Sequence, residues 1–393
     1  MGEAIRWVGL IVGVLLVLAT LVSVLTTIVV PRGVSSRISL AIWRATETAF
    51  RVVARRQRHY ESQDRLLALL GPFSLLVLLI GWLALLLLGY GLILWPISGD
   101  DLAEALRLSG SSLFTLGFVA ARPGVTTIVS FLAAATGLGV VALQLGYLPT
   151  IYAAYNRRET LVNMLESRAG EPAWGPELLA RQQLVNGLDA LPDLFADWER
   201  WVADIAETHA SYPWLLAFRS SRPLRSWVVS SIAVLDAAAL YLALAPSRAP
   251  THARYLLRTG FTALRDLAEV GGTRIDRDPL PDDPILLTRE EFDEAVALLD
   301  RAGFPRERDP DAAWSHFRGW RVNYERAAYA LAAFYSAVPA PWSGERRLGQ
   351  AVVPVVRPRH RSPDDPEGAR SVAATRGLVE DADRPSGAGR RGG

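Results

Sequence analysis

The run Ser109-Gly110-Ser111-Ser112-Leu113-Phe114-Thr115-Leu116-Gly117-Phe118 is short, polar and rich in small residues. It lies between two long apolar stretches, Leu66–Trp95 and Val125–Leu148. Non-helical backbone at bilayer depth is tolerated only where protein buries it or where it lines a water-filled cavity. A helix, a short re-entrant segment and a second helix therefore predict a pore loop. Other chemistry is thinly represented. There is no cysteine, which excludes disulfides, thiolate nucleophiles and Cys-ligated zinc. His59, His209, His252, His316 and His360 show no metal-ligand spacing. No serine nucleophile motif and no glycine-rich phosphate loop is found in the polar half. The expectation is a protein that is not an enzyme, with no cofactor and no bound metal beyond a permeant cation.

Thr115-Leu116-Gly117-Phe118 resembles the first four residues of the Thr-Val-Gly-Tyr-Gly filter of pore-loop potassium channels. The resemblance covers roughly residues 66–155, one pore unit. It implies that carbonyl oxygens of the loop replace the hydration shell of an ion. Thr115, Leu116, Gly117 and Phe118 would offer those carbonyls to K+ or another monovalent cation. Thr115 would add its hydroxyl, and Phe118 would pack behind the filter. Asp101–Leu113 would be the pore helix, its C-terminal carbonyls favouring a cation in front of them. The family's second glycine falls on Val119 and its following Asp on Ala120. A β-branched residue resists conformations open to glycine, which bears on the outermost ion site.

Elements on either side must hold such a loop. Ile5–Val30 is almost purely apolar and long enough to span. Val29-Val30-Pro31-Arg32 lacks a small-residue cleavage site, so the segment reads as a permanent span. Pro31–Arg65 carries Arg32, Arg37, Arg44, Arg51, Arg55, Arg56, Arg58 and Arg65. Arginine-dense loops stay cytoplasmic. Ile38, Ile42, Ala45, Ala49 and Val52 recur at helical spacing and predict an amphipathic helix at the inner membrane surface. In the second span, Gly81, Gly89 and Gly91 permit close helix contact. Asp100, Asp101 and Glu104 follow at the pore entrance. Around an oligomer they would form an acidic ring, while Asp100 or Asp101 could equally cap the next helix. Arg107 has Glu104 three residues earlier as a partner. In the third span, Gly137 and Gly139 are candidates for an inner-helix hinge or for close packing, with equal weight. Pro149 is expected to end or bend that helix, and Asn156-Arg157-Arg158 to mark its cytoplasmic end.

From Thr160 to about Trp342 the chain is polar and helical. Leu194, Trp198, Trp201 and Ile205 form a one-sided apolar stripe. Pro223–Ala245 is apolar nearly all round and contains Asp236. A buried core helix is favoured for it over a fourth span. Thr288 and Glu291 form a capping box, and Gly303 stops the helix that follows. Beyond Gly344 the composition predicts disorder. The net charge of the 393 residues is +2, which argues against nucleic-acid binding.

The fold class expected is all-α: a membrane protein with three transmembrane helices and one re-entrant pore loop, followed by a cytoplasmic helical domain. The divisions are a span at 1–30, an amphipathic linker at 31–65, a pore domain at 66–155, a helical domain at 156–343 and a disordered tail at 344–393. The resemblance implies a potassium-like cation channel, a homotetramer in the plasma (inner) membrane. The N-terminus would be outside and the C-terminal domain cytoplasmic. Its partners would be lipid, further copies of itself and a regulatory ligand or protein not specified by the sequence. Alternatives are a non-selective or non-conducting pore-loop relative, and a membrane-anchored helical scaffold.

Overall fold

Apolar runs without charge have no use for water and close their backbone hydrogen bonds internally, which makes them helices. The computed structural model describes residues 2–30, 36–57, 59–346 and 351–356. Within these the chain is all-α, with one isolated β-bridge. It divides into two units, Met1–Asn156 with Thr208–Arg219, and Arg157–Glu207 with Ser220–Gly393.

The first unit is built on α1 (Gly2–Val24, prolonged by a π-helical turn at Leu25–Val29), α4 (Leu70–Ser98) and the first part of α6 (Val125–Ala169). Each is long and apolar enough to cross a membrane. α1 runs antiparallel to α4. Gly9 faces Trp95, Gly13 faces Gly89 and Ile93, and Trp82 Nε1 donates to Ser23 Oγ at 3.0 Å. A Cβ on Gly13 would stand 2.6 Å from the Gly89 carbonyl oxygen, so the two backbones touch as glycine allows. The four glycines of α4 face four different neighbours: Gly71 meets Phe218, Gly81 meets Ile42, Gly89 meets Val17, and Gly91 meets Leu106.

α2 (Arg37–Ala54) and α3 (Tyr60–Ala68) follow α1. The amphipathic helix exists, and its apolar face is shared: Ile38 and Ile42 are packed inward, while Ala45, Ala49 and Val52 stay exposed. Ile38 and Ile42 pack on the cluster of Leu78, Trp82 and Leu86, and Phe50 meets Phe73. α2 therefore lies antiparallel along the first half of α4. Ser23, Thr27, Ser36 and Ser39 join α1 to the start of α2 through hydroxyl contacts. Aromatic rings gather at both ends of α4. Trp95 lies under Arg6 at one end, and Phe50, Phe73, Trp43 and Trp214 group at the other. From Phe73 to Trp95 the helix rises about 33 Å, close to the ~30 Å of a bilayer's hydrocarbon core, and aromatic belts mark such interfaces.

α6 continues through Pro149, which was expected to end or bend it, and runs on past Asn156-Arg157-Arg158 to Ala169. A proline removes one backbone donor and can bend a helix without ending it when neighbouring elements pack around it. Tyr147 and Ile151, on either side of Pro149, are buried against Leu75, Leu215 and Phe218.

The second unit surrounds α9 (Trp227–Leu244), every residue of which is buried. α9 is apolar and long enough to cross a membrane. Its contacts are with α7 (Gly175–Leu184), α10 (Thr251–Val270), α12 (Pro310–Arg321) and α13 (Glu325–Phe334), which cover it on all sides. Asp236 sits in its middle and accepts from Tyr324 Oη at 2.6 Å and from Arg321. Arg321 in turn donates to Glu325 at 2.8 Å, beneath the rings of Tyr329 and Trp342. Burial pushes the Asp236 carboxyl up to about 6, with Arg321 and Tyr324 opposing part of the shift. α8 (Leu191–Ser211) buries Leu194, Trp198, Trp201 and Ile205. α11 (Arg289–Arg301) opens on the capping box of Thr288 and Glu291, and Gly303 follows it with φ +75°.

Of the tail expected from 344, residues 344–346 and 351–356 are described, and they are held by hydrogen bonds. Arg346 is buried and donates to the carbonyl oxygens of Ala337 at 2.6 Å and Ser343 at 2.8 Å. Val353 N donates to Pro339 O at 2.7 Å, and Val356 pairs with Glu171 in the antiparallel bridge. A guanidinium that satisfies several carbonyls fixes a strap that composition alone reads as disordered. The rest of the expected tail, 347–350 and 357–393, lies outside the described residues.

Candidate functional site

α5 (Leu102–Leu113) starts where a side chain can satisfy its first amides. Asp101 accepts from Glu104 N at 2.8 Å, so of the two capping candidates Asp101 is the cap. Asp100 pairs with Arg122 at 2.7 Å, and Glu104 with Arg107 at 2.7 Å. Each acid of the expected ring is thus engaged within the chain, with Arg122 and Arg107 beside the carboxylates.

From its start near the end of α4, α5 runs back alongside that helix. Leu106 packs on Gly91, and Ser109 Oγ donates to Leu87 O at 2.8 Å. Leu87 lies eleven residues before Ser98, a distance of about 16 Å along α4. Leu113, at the end of α5, is buried among Trp82, Leu86, Ala133 and Val140. Its carbonyl faces Gly137 of α6, where a Cβ would collide with it. Arg122 then donates to Ser98 O at 2.6 Å, so the chain is back at the end of α4. The segment between α5 and α6 is non-helical throughout. A helix and its return limb form a hairpin that reaches roughly half-way down α4.

The turn of this hairpin contains the filter-like residues. Thr115 has φ +53° and Gly117 φ +70°. Both lie in the left-handed region, which glycine enters freely and threonine at a cost. The amides point back at the helix. Leu116 N donates to Ser111 O at 2.8 Å, Gly117 N to the same oxygen at 3.3 Å, Thr115 N to Ser112 O at 3.0 Å, and Val119 N to Ser111 Oγ at 3.0 Å. Among the described residues, none of the hydrogen bonds is accepted by a carbonyl of Thr115–Val119. Val119 itself packs against Leu94, Ala105 and Leu108.

Phe118 was expected behind the loop; in the single chain its side chain is 61% exposed, and Leu116 is 63% exposed. Gly137 has the packing role, and a Cβ on Gly139 would meet nothing within 4 Å. Two residues at the site escaped the sequence reading. Arg122 follows the filter-like run without any spacing rule to mark it. Ser111 is one of several serines in α5, and its signal was only that serines favour helix ends and nearby backbone groups.

No family model, no curated protein and no solved structure matches this chain. Fold and composition define it as a multi-span, all-helical membrane protein with a second helical unit.

Proposed function

We propose that this chain is the subunit of a pore-loop cation channel of potassium-like type, conducting through Thr115-Leu116-Gly117-Phe118 contributed by each copy. The observation that supports this most is the polarity of the hairpin turn. The amides of Thr115, Leu116, Gly117 and Val119 are satisfied on Ser111 and Ser112, while the Thr115–Val119 carbonyls have no protein donor among the described residues. Unsatisfied carbonyls half-way along a membrane-length helix cost several kcal/mol each unless water or a cation meets them. A row of such oxygens around a shared axis is a cation filter. The exposed Leu116 and Phe118 then need further copies to cover them, which favours a homotetramer around that axis. In this reading the arginine-dense 31–65 segment lies on the cytoplasmic side of the inner membrane. The N-terminus is then outside and the second unit inside. Three spans cross the lipid, and α9 remains an internal helix. A non-selective pore is the second reading, favoured by Val119 at the family's glycine position.

Purified full-length protein in liposomes tests both. The expected result is potassium flux well above that of empty liposomes, exceeding sodium flux, and lost in G117A because alanine resists φ +70°. Equal potassium and sodium flux would move the assignment to the non-selective pore. No flux above empty liposomes would end both.

A further inference from the structure

Three features hold the hairpin turn from behind: the α5 terminus, the side chain of Val119, and Ser111. The terminus closes as helix ends commonly do, with a left-handed residue at Thr115 and the amides of Thr115, Leu116 and Gly117 returned to the last turn. Those bonds go to backbone oxygens, which any residue at 111 or 112 supplies. The Ser111 hydroxyl is different. Its side chain is buried, and its Oγ accepts from Val119 N at 3.0 Å across eight residues. Ser109, two residues earlier, directs its hydroxyl to Leu87 O on α4. Val119 is pinned twice, by that bond and by packing against Leu94, Ala105 and Leu108. Its φ is not in the left-handed region, so valine stands here without strain where the resembling family has glycine. The carbonyls of Thr115–Phe118 are thereby strung between two fixed points, Ser111 below and Val119 above.

We infer that Ser111 is the positioning residue for ion discrimination, its hydroxyl holding the Val119 amide so that the carbonyl row keeps a fixed spacing. This rests on the pore reading above. A carbonyl filter discriminates by the number and placement of its oxygens, so loosening one end of the row should cost discrimination before it costs conduction.

The test uses full-length wild type, S111A, S111T and S112A in planar bilayers, with hydrogen exchange of the 114–121 backbone measured in parallel. S111A removes the acceptor for Val119 N and leaves the backbone caps. S111T retains a hydroxyl, and S112A removes a hydroxyl that bonds nothing in the loop. In S111A the potassium-to-sodium permeability ratio should fall about tenfold, the factor one net hydrogen bond is worth. Val119 amide exchange should quicken, while S111T and S112A stay near wild type. An unchanged ratio in S111A, or an equal fall in S112A, would overturn the inference. Should wild type pass no cation, the pore reading fails. Unchanged Val119 exchange in S111A would then count against the bond itself.

Discussion

Gly137 and Gly139 are two residues apart on α6 and meet opposite surroundings. A methyl group on Gly137 would strike the carbonyl and side chain of Leu113, so the end of α5 can reach its place only because that position is bare. Gly139 faces open space in the single chain. We expect G137A to displace α5 at a cost of about 1–3 kcal/mol, the usual penalty for overpacking. G139A should be neutral or stabilising by up to about 1 kcal/mol, since alanine is the better helix former. Thermal unfolding of both variants in detergent checks the contrast, and an equal response from the two would show that Leu113 is not what requires Gly137. The sequence presents these glycines as equals. What separates them is a carbonyl 24 residues earlier, which no local pattern encodes.

At the scale of elements, the segment Tyr212–Arg219 follows a helix whose start belongs to the second unit, yet it packs within the first. Trp214 meets Trp43, Tyr212 meets Tyr147, and Phe218 lies between Tyr152 and Tyr155 with its ring over Gly71. Arg219 closes the contact, its Nε donating to Asp64 Oδ1 at 2.6 Å and its second amino group to Tyr60 Oη at 2.9 Å. Side-chain exposure of this pair is 12% and 5%, so removing one partner strands a charge away from water. D64A is expected to destabilise the first unit by about 3–5 kcal/mol, and D64A with R219M by much less, because the double variant leaves no orphan charge. Chemical denaturation of the two proteins decides it. Similar losses in both would mean that packing, not the ion pair, carries the contact. Local periodicity made the spans, the capping box and the α8 stripe legible. It could not show Asp64 meeting Arg219 across 155 residues, nor the Arg346 strap, nor that α2 turns Ile38 and Ile42 onto α4. Such contacts depend on tertiary partners, and an amphipathic face looks the same in sequence whether it covers lipid or protein.

For the whole molecule, the part of the candidate site readable from sequence was its place between two spans and its small residues. The direction of its amides and carbonyls was not, because that follows from how α5 ends. The same geometry makes an assembly prediction. Ile128, Phe131, Leu132, Leu138 and Leu145 are exposed at helical spacing on α6, on a stripe that also includes Gly139. If carbonyls from several copies share one axis, this stripe lies beside that axis or against the next copy, whereas the exposed face of α1 meets lipid. The chain has no cysteine, so a single introduced thiol reports without background. In membranes, L138C treated with a short bifunctional thiol reagent should convert mostly to covalent dimer, the limit for one thiol per chain. The mass of the detergent-solubilised assembly should correspond to four copies. L15C, on the exposed face of α1, should give no more than traces of dimer with the same reagent. An assembly of one or two copies, or equal cross-linking at Leu15 and Leu138, would remove the shared axis. The free carbonyls of Thr115–Val119 would then have to find water within a single chain, and the reading of this hairpin as a filter would fail with it.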